Sequence, residues 1–347
     1  MRVLLTGAAG FVGSQVAVAL GGAGHEVVGV DALIPQAHPV DAAPPGVVRL
    51  DLRDPDRLDA VLAGVDVVCH QAAMVGTGVD VADFPDYASH NDVGTAVLLA
   101  AMTRTGVDRL VLASSMVVYG DGRYRCESHG DVIPAPRRTA DLEVGRFEHR
   151  CPRCEAPLDW ALVDESAPLR PRSAYAASKV AQEHYAAAWS TLRSGRVIVL
   201  RYHNVYGPGL PADTPYAGVA AIFRSALARG DPPRIFEDGR QARDFVHVTD
   251  VAAANLAAVD AVAGHPAGPT AYNICSGRPR TVGDLATAIA DAADGPAPVV
   301  TGTSRAGDIR HVVASPDAAR FRLGFVARID PDHGLKELAT APLRRTG

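Results

Sequence analysis

The chain opens on Arg2-Val-Leu-Leu-Thr6, which reads as a buried strand. It passes directly into Gly7-Ala-Ala-Gly10-Phe-Val-Gly13, and Ser14 to Leu20 then read as helix. Strand, glycine turn and helix in immediate succession admit few folds. The first glycine permits the tight turn, the second lets backbone approach a pyrophosphate, and the third lets the helix pack closely on the strand. The helix N-terminus then faces the phosphates with its unpaired amides. The spacing is Gly-x-x-Gly-x-x-Gly, shifted from the Gly-x-Gly-x-x-Gly of many dehydrogenases, so the glycines need corroboration. A second strand, Glu26-Val-Val-Gly-Val30, supplies it by ending in Asp31, where a carboxylate bonds the ribose hydroxyls of an adenosine and repels a 2′-phosphate. NAD is therefore favoured over NADP. The alternative for Asp31 is a polar strand-end residue.

Val47-Val-Arg-Leu50 reads as a third strand and Asp51-Leu-Arg-Asp54 as a helix start, with Asp51 placed for an adenine amino group. A fourth strand, Val65 to Cys69, ends in His70-Gln71-Ala72-Ala73, where small residues let backbone run beside a cofactor; His70 reads better as a capped core histidine. After a helix from Asn91 to Arg104, strand Arg109 to Ala113 delivers Ser114 and Ser115 to its carboxyl end, the edge at which open α/β sheets bind ligands.

The segment Ser173-Ala-Tyr175-Ala-Ala-Ser-Lys179 opens an alanine-rich helix that continues through Trp189, with Tyr175 and Lys179 one turn apart on one face. A free phenol titrates near pH ~10 and is a poor base at neutral pH. A neighbouring ammonium favours the phenolate and makes Tyr175 a proton acceptor. A surface Tyr and Lys on an amphipathic helix is the bland alternative.

With 347 residues, 48% hydrophobic and 21% charged, the chain has room for one large domain and a smaller one. A net charge of −5 gives no electrostatic reason to expect nucleic acid as a partner. The opening strand is too short for a signal peptide's apolar core and no uncharged run is long enough to span a membrane, so a cytoplasmic address is expected. The five cysteines do not form a secreted-type disulfide framework: Cys69 and Cys275 lie alone in apolar runs and the other three cluster.

The glycine turn, Asp51-Leu-Arg-Asp54, His70-Gln-Ala-Ala73, Ser114-Ser-Met-Val-Val-Tyr-Gly120, Tyr175-Ala-Ala-Ser-Lys179, Leu200-Arg-Tyr-His-Asn-Val-Tyr-Gly-Pro208 and Arg243-Asp-Phe-Val-His-Val248 occur in this order. Together they resemble the extended short-chain dehydrogenase/reductases that act on nucleotide sugars. The resemblance implies an α/β fold: a Rossmann-type doubly wound parallel sheet with a smaller C-terminal substrate-binding domain and an inserted Cys-rich loop. Residues 1–205 form the NAD-binding domain, with an insertion at 121–170 and a strand and helix at 244–264 returning to it; 206–243 and 265–347 bind the nucleotide sugar. It further implies cofactor contacts from Gly7, Gly10, Phe11, Val12, Gly13, Asp31, Asp51, Leu52, Gln71, Ala72, Ala73, Asn91, Ser114, Tyr175 and Lys179. Catalysis falls to Ser115, Tyr175 and Lys179. Substrate contacts fall to Ser115, Met116, His203, Asn204, Arg243 and Arg305, with Asn204 and Arg243 on the diphosphate. A homodimer through the helices near 91–104 and 175–193 is the family expectation.

In such enzymes a sugar hydroxyl loses its proton to the tyrosine and hydride leaves to NAD, giving a 4-keto sugar. The related 4,6-dehydratases carry an Asp-Glu pair after the catalytic hydroxyl residue, and the decarboxylases a Glu at the second of those positions; this chain has Met116 and Val117. Return of the hydride to the other face, a 4-epimerisation, is the remaining chemistry. Met74-Val-Gly-Thr-Gly78, Thr214 to Phe223, Ile235-Phe-Glu-Asp-Gly239 and the Cys-bearing segment resemble the branch described as dTDP-L-rhamnose 4-epimerases, which interconvert dTDP-L-rhamnose and dTDP-6-deoxy-L-talose. Alternatives are a C4-ketoreductase, an epimerase of another UDP- or dTDP-hexose, and a non-catalytic dinucleotide sensor. His203 stands where the family usually has Phe; it either bonds a sugar hydroxyl or phosphate, or fills the space of a Phe with a nitrogen on a backbone carbonyl.

The insertion contains Cys126-Glu-Ser-His129 and Cys151-Pro-Arg-Cys154, two pairs with the spacing of zinc knuckles. Four protein ligands would make a structural zinc site with no open position; His149 is an alternative to His129, and free cytosolic cysteines an alternative to metal. The insertion leaves beside Ser115 and returns beside Tyr175, placed as a lid or a dimer contact. Arg344 to Gly347 read as a frayed end.

Overall fold

The computed structural model describes residues 1–347 except 36, 39–42, 77–79, 213–217, 306–307 and 345–347. Parts of the Met74–Gly78 and Thr214–Phe223 segments, and the middle of the turn from Arg305 to Asp308, lie outside the described residues.

Seven strands form the large sheet: β1 (Arg2–Thr6), β2 (Glu26–Asp31), β3 (Val47–Arg49), β4 (Val67–His70), β5 (Arg109–Ser115), β6 (Arg196–Tyr202) and β7 (Gly268–Ile274). All pairings are parallel, in the order β7-β6-β5-β4-β1-β2-β3. The inner strands are apolar on both faces because helices cover both faces. Val3 and Leu5 of β1 face one core layer with Val111 and Ile198; Leu4, between them, faces the other with Leu110 and Val197. Helices α1 (Phe11–Gly22), α2 (Pro55–Leu62), α3 (Gly94–Thr105), α4 (Ala174–Arg193), α5 (Val219–Ala228), α6 (Val248–Val262), α7 (Val282–Ala292) and α8 (Pro331–Thr340) complete the main frame. Residues of α1 and α6 join the first layer and those of α2, α3 and α4 the second. The expected doubly wound α/β fold is thus the observed one.

The order in which strands are added to the sheet reverses between β1 and β4, which opens a crevice beyond their carboxyl ends. The smaller unit packs α5, α7 and α8 around Phe223, Phe245, Leu285, Ile289 and Leu335. A capping box holds the start of α7: Thr281 accepts from the Asp284 amide while Asp284 accepts from the Thr281 amide.

The domain boundary differs from the sequence expectation in two places. Strand β7 belongs to the large sheet, pairing with β6 from Gly268↔Arg196 to Ile274↔Tyr202, so the stretch assigned to the smaller domain from 265 onward begins only after β7. The register buries Tyr272 and Ile274 in the first core layer. Segment Phe245–His247 pairs instead with Asn204–Tyr206 in a separate two-stranded parallel sheet, and only α6 rejoins the main domain.

Candidate active site

The glycine turn is held against the loop after β4. Gly7 has φ +67, and a Cβ there would lie 2.7 Å from the Ala72 amide nitrogen; one on Gly13 would lie 1.9 Å from the Gly7 carbonyl oxygen. Both contacts are with backbone that cannot give way, which is why glycine stands at each. Thr6, just before the turn, accepts from the Ala72 amide at 3.1 Å and bonds His70 at 2.7 Å. Gly10 caps α1 without a side chain, leaving the first-turn amides open to the crevice.

The crevice is lined by Gly7, Gly10, Phe11, Val12 and Gly13, by Asp31, Asp51 and Leu52, by Gln71, Ala72 and Ala73, and by Asn204. Asp31 accepts from the amides of Ala9 (3.0 Å) and Leu33 (2.9 Å), which fixes its carboxylate at the strand end. Burial raises its pKa, but His38 and those two amides outweigh burial and hold it below the ordinary value. Asp51 is held by Arg53, whose side chain bonds it at 2.6 Å and lowers its pKa. The uncapped helix start, the backbone-tight glycines and a fixed strand-end carboxylate suit a dinucleotide.

Two residues that the sequence reading did not single out also line this crevice. The Arg344 guanidinium donates to the Ala9 carbonyl at 2.5 Å and bonds His38 at 2.7 Å, and its backbone pairs with Leu210 and Ala212. The end of the chain expected to fray is therefore tied down at Arg344. His38 in turn lies 3.4 Å from Asp31. Nothing in the local sequence marks either residue, because both reach the crevice only through tertiary contact.

At the carboxyl end of β5, the Ser115 side chain neighbours Tyr175 and acts to lower its pKa. Tyr175 sits in the first turn of α4, whose N-cap Ser173 accepts from the Ala176 amide at 3.2 Å. One turn on, buried Lys179 lies 5.9 Å from the Tyr175 ring centre and donates to the Ala113 carbonyl at 3.0 Å. Burial lowers the Lys179 pKa to about 7, opposed by Glu183. Burial also pushes the Tyr175 phenol up, with the neighbouring Ser115 hydroxyl acting the other way and the Tyr87 side chain adding to the rise. Cationic charge close to the ring favours the phenolate, and Lys179 Nζ is placed to bear on it from 5.9 Å.

Other predicted contacts have different partners. Ser114 donates to Glu183 at 2.5 Å, beneath the site, and Glu183 pairs with buried Arg201 at 2.7 Å. Asn91 lies in the π-helical turn Ala88–Val93 before α3. It clamps Met74 through both main-chain groups (2.7 and 2.9 Å) and donates to Ser178 of α4 at 2.8 Å, so it ties the loop after β4 to the tyrosine helix. Gln71 lines the crevice, but its side chain bonds Asn255 and Tyr202 at 2.9 Å each. His70 is buried between Thr6 and Thr95, and burial lowers its pKa to about 3, a neutral core histidine as expected.

On the substrate side, His203 is buried with neither ring nitrogen hydrogen-bonded, and the Asn204 amide oxygen is likewise buried and unpaired. The backbone-carbonyl partner considered for His203 is not there. Arg243 donates to the carbonyls of Ala242 (2.8 Å), Arg310 (2.9 Å) and Ile309 (2.6 Å), with no carboxylate among those partners. These bonds are made by Nη1 and Nη2, so Nε is not among the donors they use. Arg305 is exposed, paired with Asp308 at 3.1 Å and lying over the Phe236 ring. Met116 packs, partly buried, against the apolar cluster that includes Val118 and Val312.

The insertion folds as a three-stranded antiparallel sheet of Arg123–Cys126, Gly130–Val132 and Asp159–Ala161. The ligand atoms of Cys126, His129, Cys151 and Cys154 lie within 4.8 Å of one another. His129 Nδ1 is 3.5 Å from the sulfurs of Cys126 and Cys151, and the Cys126 and Cys154 sulfurs are 3.6 Å apart. A tetrahedral zinc with Zn–S near 2.3 Å and Zn–N near 2.0 Å separates its ligand atoms by about 3.5–3.8 Å, so this donor set fits zinc. His149 is not in the cluster; it bonds the Ala135 carbonyl at 3.1 Å.

A crevice at the strand-order reversal, and Ser115, Tyr175 and Lys179 at the sheet's carboxyl edge, define a dinucleotide-dependent enzyme of the Rossmann class. A profile of the NAD dependent epimerase/dehydratase family matches residues 3–139 and 156–275, and the chain belongs to that family of enzymes. It is 32% identical to a dTDP-L-rhamnose 4-epimerase of Burkholderia thailandensis, over 98% of this chain and 94% of the relative. It is 33% identical to a UDP-glucose 4-epimerase of Mycolicibacterium smegmatis, over 96% of each. A solved UDP-glucose 4-epimerase of Thermus thermophilus in complex with NAD superposes with a TM-score of 0.75 at 29% identity, over 98% of both chains. Among the described residues no helix is long and apolar enough to cross a membrane.

Proposed function

We propose that the protein is an NAD-dependent 4-epimerase of a nucleoside diphosphate sugar, interconverting dTDP-L-rhamnose and dTDP-6-deoxy-L-talose. The observation that carries the reaction is Ser115 beside Tyr175 with buried Lys179 one turn on, 5.9 Å from the tyrosine ring centre, followed by apolar Met116 and Val117 where elimination needs an acid and a base. The similarity to the Burkholderia enzyme along nearly the whole chain supports the sugar.

Bound NAD supplies a hydride acceptor at C4 that gives the hydride back. The chain's own residues handle the proton. Tyr175 takes it from the C4 hydroxyl, Ser115 bonds the same oxygen, and the Lys179 ammonium stabilises the phenolate. Asn204 and Arg243 hold the diphosphate while the ketone turns over. His203 takes a sugar hydroxyl, an assignment supported by its two unpaired buried nitrogens; unchanged kinetics in His203→Phe would remove it. Asp31 and Asp51 hold the adenosine, and zinc sits in the cluster of Cys126, His129, Cys151 and Cys154. The protein works as a cytoplasmic homodimer through α3 and α4, the latter leaving Tyr185 and Leu192 exposed; a monomeric mass by light scattering would refute the dimer.

The test is incubation of the purified chain, with no cofactor added, with dTDP-L-rhamnose and separately with UDP- and dTDP-hexoses, following C4 stereochemistry by NMR. Appearance of the C4 epimer is expected with dTDP-L-rhamnose. Conversion only of a 4-keto sugar, and only with added NADH or NADPH, would replace the epimerase by a ketoreductase.

A further inference from the structure

The segment 309–315 runs beneath Arg243, and the insertion grips it along its length. A Cβ on Gly122, φ +79, would stand 2.8 Å from the His311 carbonyl oxygen, so the first turn of the insertion lies directly on this segment. The Tyr124 hydroxyl accepts from the His311 amide at 3.1 Å. Glu148 accepts from the Arg310 side chain at 2.5 and 3.0 Å and bonds His311 Nε2 at 2.9 Å. Val163 closes the far end, pairing with Ala314 through the Val313 carbonyl and the Ser315 amide, each at 2.9 Å.

The gripped segment in turn holds Arg243. Two of the three carbonyls that orient its guanidinium belong to Ile309 and Arg310, and the Ala242 amide donates to His311 Nδ1 at 3.0 Å. Arg310 itself is fully buried, and its charge is met by Glu148, Glu237 (2.9 Å) and Asp238 (2.6 Å). A second insertion residue, Arg137, reaches the same group through Glu237 at 2.6 Å and the Asp308 carbonyl at 2.6 Å.

The insertion has little apolar core of its own. Tyr124, Cys126, Cys151 and Leu158 are its buried cluster, and two of these are members of the Cys/His group. So small a core needs a staple, and a structural zinc supplies one. Residues 140–155, which carry Glu148, Cys151 and Cys154, also lie outside the stretch matched by the family profile.

We propose that the zinc-stapled insertion is a strut that positions Arg243 for the substrate's diphosphate, through Glu148 and Tyr124 on Arg310 and His311. The inference rests on the zinc site and on the diphosphate role of Arg243 given above. Glu148 is a positioning residue here, touching neither substrate nor cofactor. The NAD crevice lies elsewhere, along β1, β2 and β4, so the strut sets affinity for the nucleotide sugar and leaves NAD retention alone.

The experiment uses the full chain as purified, with Glu148→Gln and Cys151→Ser/Cys154→Ser variants. Zinc per chain is measured by mass spectrometry, dTDP and UDP binding by calorimetry, bound NAD after denaturation by absorbance, and turnover as KM and kcat. Expected are one zinc in the wild type and in Glu148→Gln, none in the double cysteine variant, and dTDP or UDP affinity about tenfold weaker in Glu148→Gln, the scale of a lost charge-assisted hydrogen bond. NAD content is unchanged in Glu148→Gln, and KM rises while kcat holds. Absence of zinc from the wild type overturns the staple. Wild-type affinity for both nucleotides in Glu148→Gln overturns the strut, as does loss of NAD together with nucleotide in that variant, or a wild type that binds neither. Because binding is read without turnover, a wild type that binds dTDP but epimerises nothing refutes the epimerase and leaves the strut standing.

Discussion

Glu183→Gln is the most informative single change in the active-site scaffold. Glu183 follows Tyr175 and Lys179 on the same face of α4, and its carboxylate accepts from Ser114 at 2.5 Å and from Arg201 at 2.7 and 3.0 Å. The two charged side chains are only 8% and 6% exposed. Neutralising the carboxylate leaves the Arg201 charge buried among the Tyr119 hydroxyl and the Glu165 carbonyl. Removing one member of such a pair costs about 3–5 kcal/mol. With unfolding entropy near 2.1 cal/mol/K per residue over 347 residues, about 3 kcal/mol corresponds to a fall in Tm of about 4 °C. Calorimetry of the NAD-loaded protein measures it. A Glu183→Met/Arg201→Met double variant should recover more than half of the loss, because an apolar pair leaves no stranded charge. A loss below about 1 kcal/mol in the single variant, the range of an exposed ion pair, would refute the reasoning.

Tyr175→Phe removes the proposed proton acceptor and should lower kcat by about 10²–10⁴-fold with dTDP binding retained; a loss below tenfold by NMR assay would assign the proton to another group. Gly13→Ala forces a Cβ to 1.9 Å from the Gly7 carbonyl oxygen, so the variant should purify without NAD, as absorbance of the denatured protein shows. Burial lowers the Lys179 pKa from an ordinary 10.5 to about 7, so between those pH values the unfolded chain binds the extra proton and folding stability of the NAD-free protein should rise with pH. Urea unfolding across that window should lose this rise in Lys179→Met; an equal slope in both proteins would remove Lys179 as its source.

Much of this protein is decided by local sequence. Strand, Gly7-x-x-Gly10-x-x-Gly13 and helix fix the first β-α unit, since backbone contacts at Gly7 and Gly13 leave no room for a Cβ, and Asp31 follows from the end of the next strand. Tyr175 and Lys179 are paired by helical period alone, and the Cys-x-x-His and Cys-x-x-Cys knuckles by their spacing.

What the sequence could not supply comes from contacts between distant segments. Strand β7 joins the large sheet through its pairing with β6, a register no local pattern encodes. Asn91 and Ser114 sit in motifs beside the cofactor crevice, yet their side chains bond Met74, Ser178 and Glu183, because buried polar groups take whatever partner the packed chain presents. Arg344 reaches the glycine turn from the far end of the chain, and the insertion reaches Arg243 only through Arg310 and His311. Composition and period set the elements; the long-range pairing of buried charges and carbonyls decided which of their residues face the site.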